Sequence, residues 1–211
     1  MNIWEAIGTG FNGGFVPRNR GATTKNSVGW VDVDDDELGS GWLNLSDHEK
    51  GARREEIRKW RVKRCWEVLE SLGPASWSTS IPPKLALFHS GKAQPSPETV
   101  TFASIDFSSI SPGEQRLVLL MRALVGRPPL VLLDEAWSGM DEGMITASKR
   151  YLRGFICDGD EVVGIGEDQA VVVITHWENE VPWIGNEVKK FSLDTDKTDD
   201  STSFSCRSAI H

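Results

Sequence analysis

The stretch from Ile110 to Asp141, ISPGEQRLVLLMRALVGRPPLVLLDEAWSGMD, constrains the fold more than any other part of this sequence. Near its start, Ser111 suits a helix N-cap, Pro112 the first helical position and Glu114 the return arm of a capping box. Leucine and methionine then recur at helical spacing as far as Gly126, after which two prolines prevent continuation. The stretch therefore predicts a helix that begins at Pro112 and stops at Gly126. Its predicted apolar face comprises Leu117, Leu120, Met121 and Leu124.

A short apolar run, Leu130 to Leu133, follows this helix and is typical of a strand that is buried on both faces. Two carboxylates, Asp134 and Glu135, come directly after the run. Strands of α/β sheets present ligand-binding groups at their carboxyl ends. Because side chains alternate along a strand, we expect the two carboxylates to point to different places and to do different jobs.

Four segments, in this order, resemble the motifs of the ATP-binding-cassette (ABC) ATPases. Ile110 to Glu114 is similar to their signature motif, with proline at a glycine position and glutamate at the glutamine position. Leu130 to Glu135 resembles the Walker B strand with its catalytic glutamate, and Ser138 to Asp141 resembles the D-loop. Val171 to His176 resembles the switch strand and its histidine. The runs SPGEQRLVLLMRALV and THWENEVP look most like the soluble, two-cassette ModF/photorepair-type branch, which includes a fungal mitochondrial-type member.

The resemblance implies an α/β fold that is a partial P-loop-NTPase-type ABC cassette, a helical subdomain plus part of the sheet with its flanking helices. It covers residues 1–193, with the helical subdomain at about 1–110 and the signature, Walker B and switch region at 111–193. Residues 194–211 form a polar segment for which we expect a disordered tail. The Walker A lobe is missing, so we expect either a fragment or a remnant that needs a partner.

The sequence contains no complete Walker A loop, although one segment comes close to the pattern. Ser90-Gly91-Lys92 could close a phosphate-binding loop of the form GxxxxGKS/T, but Ala86 stands at its first glycine and Ala93 at its Ser/Thr. We therefore interpret Lys92 as a loop lysine. On this ground we expect the chain alone to hydrolyse ATP negligibly.

For the strand-end residues, the resemblance implies the chemistry of ATP hydrolysis with ATP and Mg²⁺ as cofactors. Asp134 would hold Mg²⁺, Glu135 would polarise the attacking water, and His176 would contact the γ-phosphate. Each of these residues alone has a structural alternative, such as a strand end or a core histidine. The order and spacing of the four motifs favour the catalytic interpretation.

For the signature residues, the resemblance implies a partner, which is a second ABC cassette from the same or another chain. Ser111, Gly113 and Glu114, at the start of the predicted helix, would bind the γ-phosphate of a nucleotide held on that second cassette. Asp141 in the D-loop would carry the signal across the interface.

Outside these motifs, a second capping box, Ser46 with Glu49, predicts a long helix over Asp47 to Leu72 that ends at Gly73-Pro74. Its first half is basic, but interleaved glutamates favour a solvated face over a phosphate contact. Trp77 to Phe107 is predicted to be an irregular connection. Further elements predicted are a helix over Glu142 to Phe155, a buried strand over Ala170 to Thr175 and an edge strand over Lys189 to Leu193.

The composition of the 211 residues limits partners and location. The net charge of −8 argues against general binding of nucleic acid or acidic membranes. No apolar run approaches the ~20 residues that span a bilayer, so we expect no membrane span. Three scattered cysteines suggest a reducing compartment, and no targeting signal is visible. We expect an intracellular protein, in the cytoplasm or the mitochondrion.

Three other functions remain open to test. The chain could be a non-catalytic interaction subunit that supplies the signature half of a partner's ATP site. A DNA-repair ATPase of the SMC type would need a long heptad repeat, which Asp47 to Leu72 is too short to provide. A ribosome-binding cassette factor could use the basic helix, and salt-dependent RNA binding would reveal it.

Overall fold

A computed structural model describes residues 1–11, 45–78, 94–156, 162–166, 168–176, 180–183, 190–194 and 205–209. The near match to a phosphate loop at Lys92 lies outside these residues. Within them, no helix is long and apolar enough to cross a membrane. The helices are α1 (Ile3–Gly8), α2 (Asp47–Leu72), α3 (Pro97–Ser104), α4 (Pro112–Val125) and α5 (Glu142–Arg153). The strands are β1 (Leu130–Asp134), β2 (Phe155–Ile156), β3 (Val162–Val163), β4 (Ala170–Ile174), β5 (Lys190–Asp194) and β6 (Ser205–Ala209).

The two helices predicted from capping boxes are confirmed, and both boxes form. At the start of α4, the main-chain N–H of Ser111 donates to Oε2 of Glu114 at 2.8 Å, and the main-chain N–H of Glu114 donates to Oγ of Ser111 at 3.3 Å. Ser46 and Glu49 make the same exchange at the start of α2. Each box satisfies two main-chain donors that the first turn of a helix leaves unpaired. The sequence therefore specifies both helix starts locally.

The core lies where α4 crosses α1 and α2. The predicted apolar face of α4 is buried, as are Ile3 and Ile7 of α1 and Val68 and Leu69 of α2. Burial of such side chains contributes about 1.5–3 kcal/mol each. The helical part of the chain is thus stabilised mainly by apolar packing around α4, and α4 is held in a fixed position.

A buried arginine joins three of these helices. Arg64 of α2 donates from Nε to the carbonyl of Val125 and from Nη2 to the carbonyl of Leu124, both at 3.4 Å. These carbonyls belong to the last turn of α4, where the regular hydrogen bonds of the helix stop, although the Leu124 carbonyl also accepts from the N–H of Gly126 and the N–H of Arg127. Nη2 also donates to the hydroxyl of Tyr151 in α5 at 2.5 Å, and burial raises the pKa of that tyrosine. Arg64 therefore caps α4 and fastens it to α2 and α5.

Strands β1 and β4 form a parallel pair in which Leu130 lies opposite Ala170 and Asp134 opposite Ile174. The prediction that β1 is buried on both faces is wrong, because Leu133 is only 5% exposed while Leu132 is 67% exposed. The prediction of a second buried strand fails in the same way for β4, where Val172 and Ile174 are exposed. The reason is that the core covers one face of the pair, and no described element covers the other. We call the uncovered surface, formed by Leu130, Leu132, Val172 and Ile174, the open sheet face.

Two further predictions need correction. The stretch predicted as an irregular connection contains α3, whose N-cap Ser96 accepts from the N–H of Thr99 and whose first position is Pro97. Residues 205–209, which were expected to lie in a disordered tail, form β6 and pair antiparallel with β5. In an antiparallel pair, the main-chain groups that face the neighbouring strand bond to each other, and this does not need an apolar sequence.

Candidate functional site

The carboxyl end of the β1–β4 pair brings two predicted catalytic residues together. The main-chain N–H of Glu135 donates to the carbonyl of Ile174 at 3.0 Å, so the pairing continues one residue beyond β1. Just beyond, the main-chain N–H of His176 donates to Oε1 of Glu135 at 3.2 Å. The same oxygen lies 3.7 Å from Nε2 of the His176 ring. The parallel register therefore fixes the Glu135 carboxylate beside His176.

Glu135 itself has an unusual main-chain conformation. Its φ is +46°, in the left-handed region that residues with side chains seldom adopt. Such conformations persist where the surrounding structure holds them, and they cluster at functional sites. The conformation of Glu135 is held by two main-chain hydrogen bonds. Its N–H donates to the Ile174 carbonyl, and its carbonyl accepts from the N–H of Ser138 at 3.2 Å. The chain turns sharply at Glu135 and leaves the strand direction.

Asp134, the predicted metal ligand, is exposed and lies on the same side of β1 as Leu132. A carboxylate is a suitable ligand for Mg²⁺, which often takes only one or two protein carboxylates and completes its shell with water and phosphate oxygens. No group of three or more acidic, histidine or cysteine residues in the described part of the chain could hold a metal ion. The described residues therefore do not fit a metal held by protein alone, whereas the Asp134 carboxylate would suit Mg²⁺ that is shared with phosphates and water.

The start of α4 holds three of the predicted nucleotide-binding residues. The side chains of Ser111 and Glu114 complete the capping box described above, and Ser111 is exposed. The first turn of a helix carries a partial positive charge that attracts anions. Gly113 differs from both because it is buried, and its Cα faces the carbonyl of Gly139. Contact of Gly113 with a nucleotide stays a prediction, whereas its packing against Gly139 is visible.

Asp141, predicted to act at an interface, is the N-cap of α5. Its Oδ1 accepts from the main-chain N–H of Met144 at 2.8 Å. The residue is exposed, so one carboxylate oxygen caps the helix while the side chain still faces outward. The structure thus assigns Asp141 a structural task that the D-loop resemblance did not imply.

The predicted site residues fall into two groups. Glu135 and His176 form one, with Asp134 at the adjacent strand end, and Ser111, Gly113 and Glu114 form the other. Within the described residues, no hydrogen bond or ion pair joins Ser111 or Glu114 to Glu135 or His176. Gly113, at the start of α4, packs against Gly139 in the turn that follows Glu135.

Two residues near the site were not predicted as site residues, although one of them, Gly139, lies in the segment that resembles the D-loop. Trp137 is 2% exposed, and its indole Nε1 has no hydrogen-bond partner among the described residues. Gly139 has a φ of +79°, which favours glycine. A glycine shortly after a strand is a turn signal, so Gly139 could have been found from its position in the sequence. Nothing in the sequence distinguishes Trp137 from the other tryptophans.

Comparisons with known proteins agree with the motifs over part of the chain. An uncharacterised ABC transporter ATP-binding protein of Schizosaccharomyces pombe is 34% identical over 122 residues, which cover 56% of this chain and 22% of that protein. The ABC transporter ATP-binding protein ModF of Escherichia coli is 38% identical over 77 residues, which cover 36% of this chain and 14% of that protein.

The chain therefore spans less than a quarter of the length of these curated relatives. No protein-family model matches the chain, and no solved structure matches it. The two similarities, of modest identity and partial coverage, support an ABC ATPase family. The helices and the small parallel sheet are compatible with part of an ABC cassette.

Proposed function

We propose that this chain supplies the signature, Walker B and switch segments of an ATP-hydrolysing site in an ABC-type ATPase of the soluble, two-cassette ModF/photorepair-type branch. The observation that carries the proposal is the juxtaposition of Glu135 and His176 at the carboxyl end of a parallel strand pair. The order of the four motifs and the two partial similarities support it. ATP bound there supplies the phosphoryl group to be transferred, and Mg²⁺ would neutralise charge on its phosphates.

The strand-end residues would divide the work of hydrolysis. Asp134 binds Mg²⁺ through its exposed carboxylate, while Glu135 accepts a hydrogen bond from the attacking water and polarises it. The main-chain N–H of His176 holds the Glu135 carboxylate in place at 3.2 Å. The ring of His176 is 89% exposed and is free to contact the terminal phosphate. The backbone of one residue thereby orients the carboxylate, and its ring senses the phosphate.

The signature residues would act on a nucleotide held by a second ABC cassette. Ser111, Gly113 and Glu114 surround the N-terminus of α4, which would bind the γ-phosphate of that nucleotide. Asp141 would face the same interface and report its closure.

The phosphate-binding loop would come from outside these residues. The sequence contains no GxxxxGKS/T segment, so it offers no cradle for the β-phosphate. Parallel sheets occur almost only with both faces covered, and the open sheet face lacks such a cover among the described residues. We infer that a lobe with a phosphate loop covers this face, either from a longer form of this chain or from a partner.

We place the protein inside the cell, in the cytoplasm or mitochondrion.

A second candidate function is that of a non-catalytic subunit, which supplies the signature half of a partner's ATP site. The absence of a phosphate loop in these residues favours it. In that case Glu135 would have no nucleotide to hydrolyse, and only the start of α4 would matter for turnover.

The test compares the 211-residue chain with a longer cassette that joins it to a phosphate-loop lobe. We expect negligible ATP hydrolysis by the chain alone and steady turnover by the cassette, which Glu135→Gln abolishes. Turnover that survives Glu135→Gln but is lost with Ser111→Arg would favour the non-catalytic subunit. Steady hydrolysis by the chain alone that Lys92→Ala abolishes would overturn the assignment of the phosphate loop.

A further inference from the structure

The start of α4 and the turn after Glu135 are in direct main-chain contact. A Cβ atom built on Gly113 would lie 2.3 Å from the carbonyl oxygen of Gly139 and 3.3 Å from Cα of Met140. Real Cβ contacts almost never fall below about 3.0 Å, because atoms at that distance repel strongly. Both neighbours are backbone atoms, so no side-chain rotation can make room. The contact requires a glycine at position 113.

Main-chain hydrogen bonds within this turn end at Glu135, one residue of the predicted catalytic pair. The N–H of Met140 donates to the carbonyl of Trp137 at 3.0 Å, and the N–H of Ser138 donates to the carbonyl of Glu135 at 3.2 Å. Glu135 in turn accepts the N–H of His176 on its side-chain Oε1 at 3.2 Å. We therefore expect a displacement of Gly139 to shift this hydrogen-bonded turn and, with it, the position of Glu135.

We propose that Gly113 is a positioning residue, whose missing side chain lets the turn at 136–140 rest on the first turn of α4 and so fixes the Glu135 carboxylate. The catalytic meaning of this contact rests on the proposed function, but the contact itself does not. An anion bound at the start of α4 would act on Glu135 through the backbone contact of Gly113 with Gly139 and Met140. Packed contacts of this kind transmit small shifts because close-packed interiors deform little.

The first experiment uses Gly113→Ala in the 211-residue chain, with Gly51→Ala as the matched control. A Cβ on Gly51 meets nothing within 4 Å, and the residue is exposed on α2. For Gly113→Ala we expect displaced amide resonances at Ser138, Met140 and His176 in a ¹⁵N–¹H spectrum, with a melting temperature lowered by at least about 3 °C. Gly51→Ala should leave those resonances in place and should not lower the melting temperature.

A purely local role for Gly113 predicts a different pattern. The melting temperature would fall, the amides of the first turn of α4 would shift, and the His176 amide would stay where it is. That result would overturn the proposal. The readout does not involve ATP, so a failure of the proposed function would leave the outcome interpretable.

A milder change covers the case in which Gly113→Ala does not fold. Ser111→Ala removes one cap hydrogen bond of α4 without touching the turn, so it should increase hydrogen exchange at the Glu114 amide by about fivefold. If the two elements open together, exchange at the Ser138 and Met140 amides should increase by a similar factor. Faster exchange at Glu114 with unchanged exchange at both turn amides would show that they open separately and would overturn the proposal.

Discussion

Nη2 of Arg64 donates a hydrogen bond to the hydroxyl of Tyr151 at 2.5 Å, and both residues are buried. The same guanidinium also donates hydrogen bonds to two carbonyls at the end of α4. The helix that carries the signature residues is thus anchored at its far end by a charge from α2. A buried charge of this kind is expensive to leave unpaired, so all its partners matter.

Removing this arginine should therefore destabilise the chain. We expect Arg64→Met to lower the free energy of unfolding by about 2–4 kcal/mol, because the Val125 carbonyl and the Tyr151 hydroxyl lose a donor and Glu67 loses an ion-pair partner. Tyr151→Phe removes only one bond and should cost about 1 kcal/mol. Urea unfolding followed by circular dichroism measures both. Arg53→Met, on the exposed part of α2, is the control and should change stability by less than about 0.5 kcal/mol.

The two faces of β1 should respond differently to the same substitution. Leu133→Ala empties a buried position and should cost about 2–4 kcal/mol, whereas Leu132→Ala should be nearly neutral in this chain. The order should change in a cassette whose sheet is covered by a phosphate-loop lobe, where Leu132→Ala becomes costly. If Leu132→Ala stays neutral there, the open sheet face is not where the lobe packs.

The strand-end residues should fail in a fixed order in a cassette with a phosphate loop. Glu135→Gln should keep binding of Mg²⁺-ATP and lower turnover by at least about a hundredfold, because the amide cannot polarise water. Asp134→Asn should weaken Mg²⁺-ATP binding itself, since a neutral amide is a poorer ligand for a hard cation. His176→Ala should slow hydrolysis with little loss of binding. Nucleotide-binding titrations and steady-state turnover separate the three defects.

Two other outcomes would contradict these assigned roles. If Glu135→Gln abolished binding and Asp134→Asn left it intact, the roles of metal ligand and base would be reversed. If none of the three changed turnover, the strand-end side chains would be structural.

Acid should remove a stabilising contact at Asp106. The hydroxyl and main-chain N–H of Ser108, at 2.6 and 2.9 Å from Oδ1, lower the pKa of Asp106 from 3.8 to about 2, with a smaller contribution from the amino group of Met1. Because the folded-state pKa is the lower one, the contact stabilises the chain fully above about pH 4 and is lost as the pH falls towards 2. Unfolding free energies measured from pH 6 to pH 2 should fall less steeply for Asp106→Asn than for the unaltered chain. Equal slopes would contradict the assignment.

The sequence predicts most reliably what is decided locally. The bounds of α2 agree with the prediction because the signals at both of its ends, Ser46 with Glu49 and Gly73-Pro74, lie in the adjacent residues. The proximity of Glu135 and His176 follows from two strands that end at one edge of a sheet. By contrast, Ser96-Pro97 carries the same kind of start signal for α3, but the apolar period after it is too short to notice.

Features that depend on tertiary neighbours were not predictable in this way. Exposure of Leu132 depends on which layers cover the sheet. A short apolar run in the sequence does not show whether one face of its strand is covered or both. The left-handed conformation of Glu135 depends on the turn that follows it. The packing of Gly113 on Gly139 joins two motifs that the sequence presents as independent.

The parallel pairing of β1 with β4 also sets when the site can form during folding. Glu135 and His176 are 41 residues apart along the chain, so their contact requires closure of a long loop. The caps of α2 and α4 involve residues three apart and can form much earlier. During synthesis, the helices could therefore be in place while the Glu135 carboxylate still lacks its neighbour. A stopped-flow refolding experiment should find helical circular dichroism recovering before any signal from His176.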